Sequence, residues 1–244
     1  MNTMSTSPAE VTGSDVTRRK ILVWDAPVRV FHWLMVASFA GAWLTAESER
    51  WRMLHVTLGY TMAGLVAFRI LWGLVGTRHA RFPSFVRGPA TVARYVRGIL
   101  HGRPEHYTGH NPAGALAILA LLGLSIAITA SGWATFNEIG GKILEKGHEA
   151  AATIMLALVG VHVAGAIFSS WLHRENLIGA MISGRKPGQP HEALRSAWRT
   201  VAALMLVAVL GFWWLQYQSV PTGSGLADLA LASAKVRQHD GHRD

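Results

Sequence analysis

The sequence predicts an all-α membrane protein with five transmembrane helices. Half of the 244 residues are hydrophobic and 15% are charged, against about 25% charged in ordinary soluble domains. The mean hydropathy is +0.26. The apolar residues gather into five stretches, at about 29–46, 54–76, 112–133, 149–171 and 199–217. Each is near the ~20 residues that cross ~30 Å of hydrocarbon. These runs are continuous and too long for barrel strands, so their backbone groups must be satisfied within helices.

The elements follow in chain order. Residues 1–17 are rich in Ser and Thr without an apolar pattern and are expected to be a loose tail. The first span exceeds the usual core of a signal peptide, and Thr45-Ala46-Glu47 offers no small-x-small cleavage site, so it is expected to be retained. Between the second and third spans, the 77–111 loop holds Pro83, Pro89 and Pro104. Its middle, about 90–101, places Val92, Tyr95, Val96 and Ile99 on one face of a short interfacial helix. Gly109-His110-Asn111-Pro112 opens the third span, with Asn as a cap and Pro just inside the start. The domains expected are a tail over 1–20, a membrane domain over 21–187, a linker and fifth helix over 188–217, and a second tail over 218–244.

Lys and Arg are unevenly divided among the connections. The net charge of +9 would suggest nucleic acid in a soluble protein. Here, 15 basic residues fall before the first span, in 77–111 and in 172–199, and 7 on the opposite side. By the positive-inside rule the N-terminus is cytoplasmic and the C-terminus lies outside. The absence of cysteine excludes disulfides, iron–sulfur clusters, thiolate zinc sites and covalent c-type haem within the chain. No nucleophile–base pair, Walker loop or dinucleotide fingerprint points to hydrolysis.

Four histidines lie inside or at the mouths of the spans: His32, His55, His148 and His162. An ionisable side chain at membrane depth is costly and calls for a partner or a task. His148 and His162 are 14 residues apart on the fourth span, which brings them to nearly one face with a rise of about 21 Å. Depth then pairs His55 with His148 near the outer surface and His32 with His162 near the inner one. Two bis-imidazole tiers suit the two axial positions of b-type haem, whereas zinc asks for three or four ligands at one level. The alternative is a non-redox membrane anchor or transporter subunit whose histidines are structural.

Arg69 lies 14 residues after His55 and so repeats this geometry, reaching the inner level. Either it anchors a propionate of an inner haem, or it snorkels to the interface. Gly59, Gly64, Gly123, Gly160 and Gly165 either make room for a macrocycle or pack helices. His79 and His173 lie at the inner surface. His101, His106, His110, His191, His239 and His242 are expected to be solvated loop or tail residues. Glu138, Glu145 and Glu149 either handle protons for a quinone or are simply solvated.

At these residues the chain resembles the prokaryotic cytochrome b561 family and the closely similar b-type cytochrome subunit of nickel–iron hydrogenases. The likeness covers about 21–187. It rests on Val23-Trp24-Asp25-Ala26-Pro27-Val28-Arg29-Val30-Phe31-His32-Trp33, Leu54-His55, Phe68-Arg69-Ile70-Leu71-Trp72-Gly73, Gly76-Thr77-Arg78-His79, Gly109-His110-Asn111-Pro112, Gly147-His148-Glu149, Val161-His162 and Trp171-Leu172-His173-Arg174. The resemblance implies a four-helix transmembrane bundle in the inner membrane holding two haem b through His32, His55, His148 and His162. It also implies electron exchange between a redox partner and ubiquinone or menaquinone. The chain departs after residue 190, where the fifth helix and outer tail are expected to dock a partner such as a periplasmic c-type cytochrome; separately, the resemblance implies hydrogenase or dehydrogenase subunits as partners.

Overall fold

The computed structural model describes residues 19–102, 105 and 107–219. The tails expected at 1–17 and beyond 219, with His239 and His242, lie outside the described residues, as does His106. Strand β1 spans Arg19–Leu22, α1 Ala26–Thr45, α2 Arg52–Val75, α3 Phe82–Phe85, α4 Pro89–Leu100, α5 Pro112–Phe136, α6 Gly141–His173, α7 Leu177–Ser183, β2 Arg185–Gly188 and α8 Arg199–Gln218. Among these residues, five helices are long and apolar enough to cross a membrane. They are α1, α2, α5, α6 and α8, at the five stretches that hydropathy selects.

Local chemistry explains the helix starts. The Asp25 carboxylate accepts the Val28 N–H at 2.8 Å, and Pro27 occupies the first turn of α1. Asn111 does the same for α5 through the Gly114 N–H at 2.7 Å, with Pro112 at the first helical position. The interfacial helix expected near 90–101 is α4, which buries Tyr95. α6 begins eight residues before the apolar stretch expected at 149, so His148 lies within the helix rather than at its mouth. At about 1.5 Å per residue its 33 residues run about 50 Å, longer than the hydrocarbon core.

α1 packs along α2, α2 along α5 and α5 along α6, while α8 lies against α1. α6 leans on α5 and α7 and has at most sparse backbone contact with α1 and α2. That leaves side chains to bridge the space between α6 and the first two helices. The starts of α1 and α5 and the ends of α2 and α6 meet at one end of the bundle, which is capped. There, β1 pairs antiparallel with β2, from Arg19 opposite Gly188 to Leu22 opposite Arg185. Ile21, Val23, Trp24 and Ala180 form a small apolar core beside this ribbon. Gly184 is needed in the turn into β2: its φ is +79°, and an added Cβ would stand 2.6 Å from the Trp24 carbonyl oxygen. A buried ion pair of Lys186 with Glu175, 3.0 Å apart, ties β2 to the end of α6.

Candidate haem-binding histidine tiers

At the uncapped end, His55 of α2 and His148 of α6 face each other. Their ring centroids are 6.2 Å apart and the ring planes are inclined by 77°. His55 Nδ1 lies 2.8 Å from the Ala42 carbonyl oxygen of α1. His148 Nδ1 lies 3.0 Å from the Ile128 carbonyl oxygen of α5 and 3.3 Å from the Ser131 hydroxyl. A carbonyl oxygen only accepts, so each Nδ1 carries the proton and donates it. Each Nε2 is therefore left with a lone pair, the form in which imidazole binds a metal. Metal–nitrogen bonds of 2.0–2.1 Å place the centroids of two opposed imidazoles about 6.3 Å apart. The observed centroid separation is close to that value.

The backbone supports this pose. A Cβ at Gly132 of α5 would sit 2.9 Å from His148 Cε1, so the ring uses space that only glycine leaves. Elsewhere on α2, α5 and α6, a Cβ added at Gly59, Gly64, Gly123, Gly160 or Gly165 would meet nothing within 4 Å. These positions leave open space rather than tight helix packing.

Nearer the capped end lie His32 of α1 and, 14 residues beyond His148 on the same helix, His162 of α6. His32 Nδ1 is sealed from solvent without a hydrogen-bond partner. Its ring stands edge-on to Trp33 at 5.1 Å, and the Trp33 indole N–H donates to the Met181 carbonyl. Arg69 of α2 is 4% exposed, so it does not snorkel out. Its guanidinium lies over Phe82 and Phe85, at 5.0 and 5.9 Å from the ring centroids, and its Nη1 has no hydrogen-bond partner. The orphaned nitrogens, the opposed outer rings and the open helix faces fit a large, iron-bearing anionic ring better than they fit a dry apolar core. Among the described residues, no group of three His, Asp or Glu gathers at a metal-binding distance.

Sequence reasoning missed His110. It is not a solvated loop residue: its ring lies between Trp24, at 4.4 Å, and Phe85, at 4.8 Å, and its Nδ1 is buried. Burial, and then the charge of Arg69, push it down to about 3, so the ring is neutral. The buried Asn-Pro helix start next to it was the available signal, because a capped start tucked into the protein carries its preceding residue inward. His79 Nε2 donates to the Glu192 carbonyl at 2.9 Å, and His101 Nδ1 to the Arg97 carbonyl at 2.7 Å. Glu138, Glu145 and Glu149 are exposed.

Comparison with known proteins bears on these tiers. The model of the family described as prokaryotic cytochrome b561 matches residues 23–184, which hold all four histidines and Arg69 and end before α8. A protein named probable Ni/Fe-hydrogenase B-type cytochrome subunit from Rhizobium leguminosarum bv. viciae is 24% identical over 218 residues, covering 70% of this chain and 90% of that protein. A protein of the same name from Cupriavidus necator is 26% identical over 229 residues, covering 72% and 93%. A similarly named protein of Escherichia coli K12 is 26% identical over 143 residues, covering 48% and 60%. No solved structure matches the chain.

Proposed function

Because the chain belongs to the prokaryotic cytochrome b561 family, and so is a b-type membrane cytochrome of electron transport, we propose that it holds two haem b in a four-helix bundle of α1, α2, α5 and α6. His55 and His148 are the axial ligands of one, His32 and His162 those of the other, and Arg69 pairs with a propionate of the second. The single observation that carries this reading is the outer pair: two imidazoles 6.2 Å apart, each with its Nδ1 proton committed to a backbone carbonyl.

Bound haem b supplies a one-electron couple at each tier. The protein's own residues orient and insulate that chemistry. The carbonyls of Ala42 and Ile128 hold the outer rings in one tautomer and make Nε2 a stronger donor. α6 sets the distance between tiers, because His148 and His162 share one unbroken helix with a rise of about 21 Å. Electrons therefore cross the inner membrane from a redox partner on one side to the quinone pool on the other. The relatives named as hydrogenase cytochrome subunits support a hydrogenase as the partner. In this arrangement the N-terminus and the β1–β2 cap are cytoplasmic, and α8 is a peripheral fifth helix whose outer end adds docking surface for a periplasmic partner.

Visible spectroscopy tests the reading. Detergent-purified protein is expected to show a reduced b-type spectrum with two haems per chain, falling to one in His148→Ala and to one in His162→Ala. A folded, colourless wild-type preparation overturns it.

A further inference from the structure

Beneath the His32 and His162 pair, two nitrogen donors from different elements share one aromatic platform. The Arg69 guanidinium of α2 and the His110 ring, just ahead of α5, both lie against Phe85, at 5.9 and 4.8 Å from its centroid. Phe85 is buried, and Trp24 closes the other side of His110, so neither donor is free to swing away. Yet Arg69 Nη1 and His110 Nδ1 are both sealed from solvent and both lack a hydrogen-bond partner, and a neutral His110 ring can carry its proton on Nδ1 and donate it. A buried hydrogen-bonding nitrogen left without a partner is costly, and more so when it is charged. Two on one platform mark a place where an acceptor belongs.

The surroundings fix its chemistry. The fixed charges of Arg69 and Lys186 both reach His110. Lys186 is already engaged with Glu175, and His79 with the Glu192 carbonyl. Asp25, whose charge reaches Arg69, spends its oxygens on the Val28 N–H, the Trp72 indole and the Thr77 hydroxyl. No described side chain therefore fills the gap, and the field there favours an anion. A planar guanidinium beside a neutral imidazole N–H offers two donors to the two oxygens of a carboxylate.

We propose that Arg69 and His110 form a two-donor carboxylate site, and that the carboxylate it takes is a propionate of the haem held by His32 and His162. The assignment of His110 rests on the dihaem reading, which the haem stoichiometry of wild type tests separately. The full chain is purified with haem carrying 13C-labelled propionates. His110→Phe keeps the stack between Trp24 and Phe85 and removes only the donor. One haem is then expected to transfer to apomyoglobin about tenfold faster while the other is unchanged, in keeping with one lost hydrogen bond to a charged group. The labelled carboxylate bands in the redox-difference infrared spectrum are expected to shift, and His110→Gln, which retains an N–H, to restore them in part. Wild-type release rates and unmoved labelled bands in His110→Phe, with two haems still bound, overturn the site while leaving the dihaem reading intact. If inorganic phosphate slows haem release and the labelled bands do not respond to the substitution, the site takes a free anion, and the assignment to a propionate is overturned.

Discussion

The Asp25 carboxylate accepts the indole N–H of Trp72 at 3.0 Å, across 47 residues of chain. The same oxygen accepts the Thr77 hydroxyl at 2.6 Å, and its partner oxygen caps α1 through the Val28 N–H. One 1%-exposed side chain thus joins the start of α1 to the end of α2 at the capped end of the bundle.

Asp25→Ala removes a helix cap worth about 1 kcal/mol and leaves the Trp72 and Thr77 donors buried without an acceptor. A loss of about 3 kcal/mol is expected, read as a lowered melting temperature in detergent. Trp72→Phe, which removes one of the three bonds, is expected to lose about a third as much. Equal losses in the two variants would show that Asp25 is not the shared acceptor on which the corner depends.

Gly132→Ala tests the outer tier. The added methyl would meet His148 Cε1 at 2.9 Å, and the ring cannot give way without loosening its bond to the Ile128 carbonyl. Outer partners of metal-bound histidines are worth about 10–100-fold in affinity. One haem is expected to be retained at wild-type strength and the other weakened within that range, with a changed low-spin electron paramagnetic resonance signal for the second alone. Identical signals from both haems would show that the ring does not depend on this close approach.

Much of this architecture was legible because lipid imposes a simple arithmetic. Five apolar stretches of span length became five helices, and a 14-residue spacing put His148 and His162 on one helix at two depths. Hydropathy reports the membrane and not the helix, however, which is why the first turns of α6, with Lys142, Glu145 and Lys146, were not anticipated. The β1–β2 pairing is equally silent in sequence. Each strand is four residues long, β2 contains Pro187, and the helices from α1 to α7 separate the partners in sequence. For Arg69, spacing gave the level but not the side. Only the packing of Phe82 and Phe85 beneath the guanidinium separates an inward arginine from a snorkelling one.

Acid is expected to loosen the capped end through Glu192. Burial raises its carboxyl, but hydrogen bonds from the Thr108 hydroxyl, at 2.7 Å, and the Gln189 N–H, at 3.0 Å, outweigh burial and hold it below its ordinary 4.5. The folded protein then binds fewer protons here than the unfolded chain. The stabilisation is complete above the unfolded value and is lost as pH falls through the lowered folded value. Thr108→Val is expected to flatten that acid limb in melting curves between pH 3 and 7, with a small loss at neutral pH. An unchanged limb would assign the acid sensitivity elsewhere.

α8 lies outside the family match and against α1 and α2, where the Trp213 indole N–H donates to the Thr61 hydroxyl at 2.8 Å. Thr61 in turn donates to the Thr57 carbonyl, so its hydroxyl is polarised toward accepting. Trp213→Phe keeps most of the apolar contact and deletes this bond, for a cost of about 1 kcal/mol in a membrane interior. Because the histidine tiers belong to α1, α2 and α6, both haems are expected to remain with unchanged spectra while the melting temperature falls slightly. Loss of a haem in Trp213→Phe would instead make α8 part of the cofactor cradle, since Thr61 lies between the levels of His55 and Arg69 on α2.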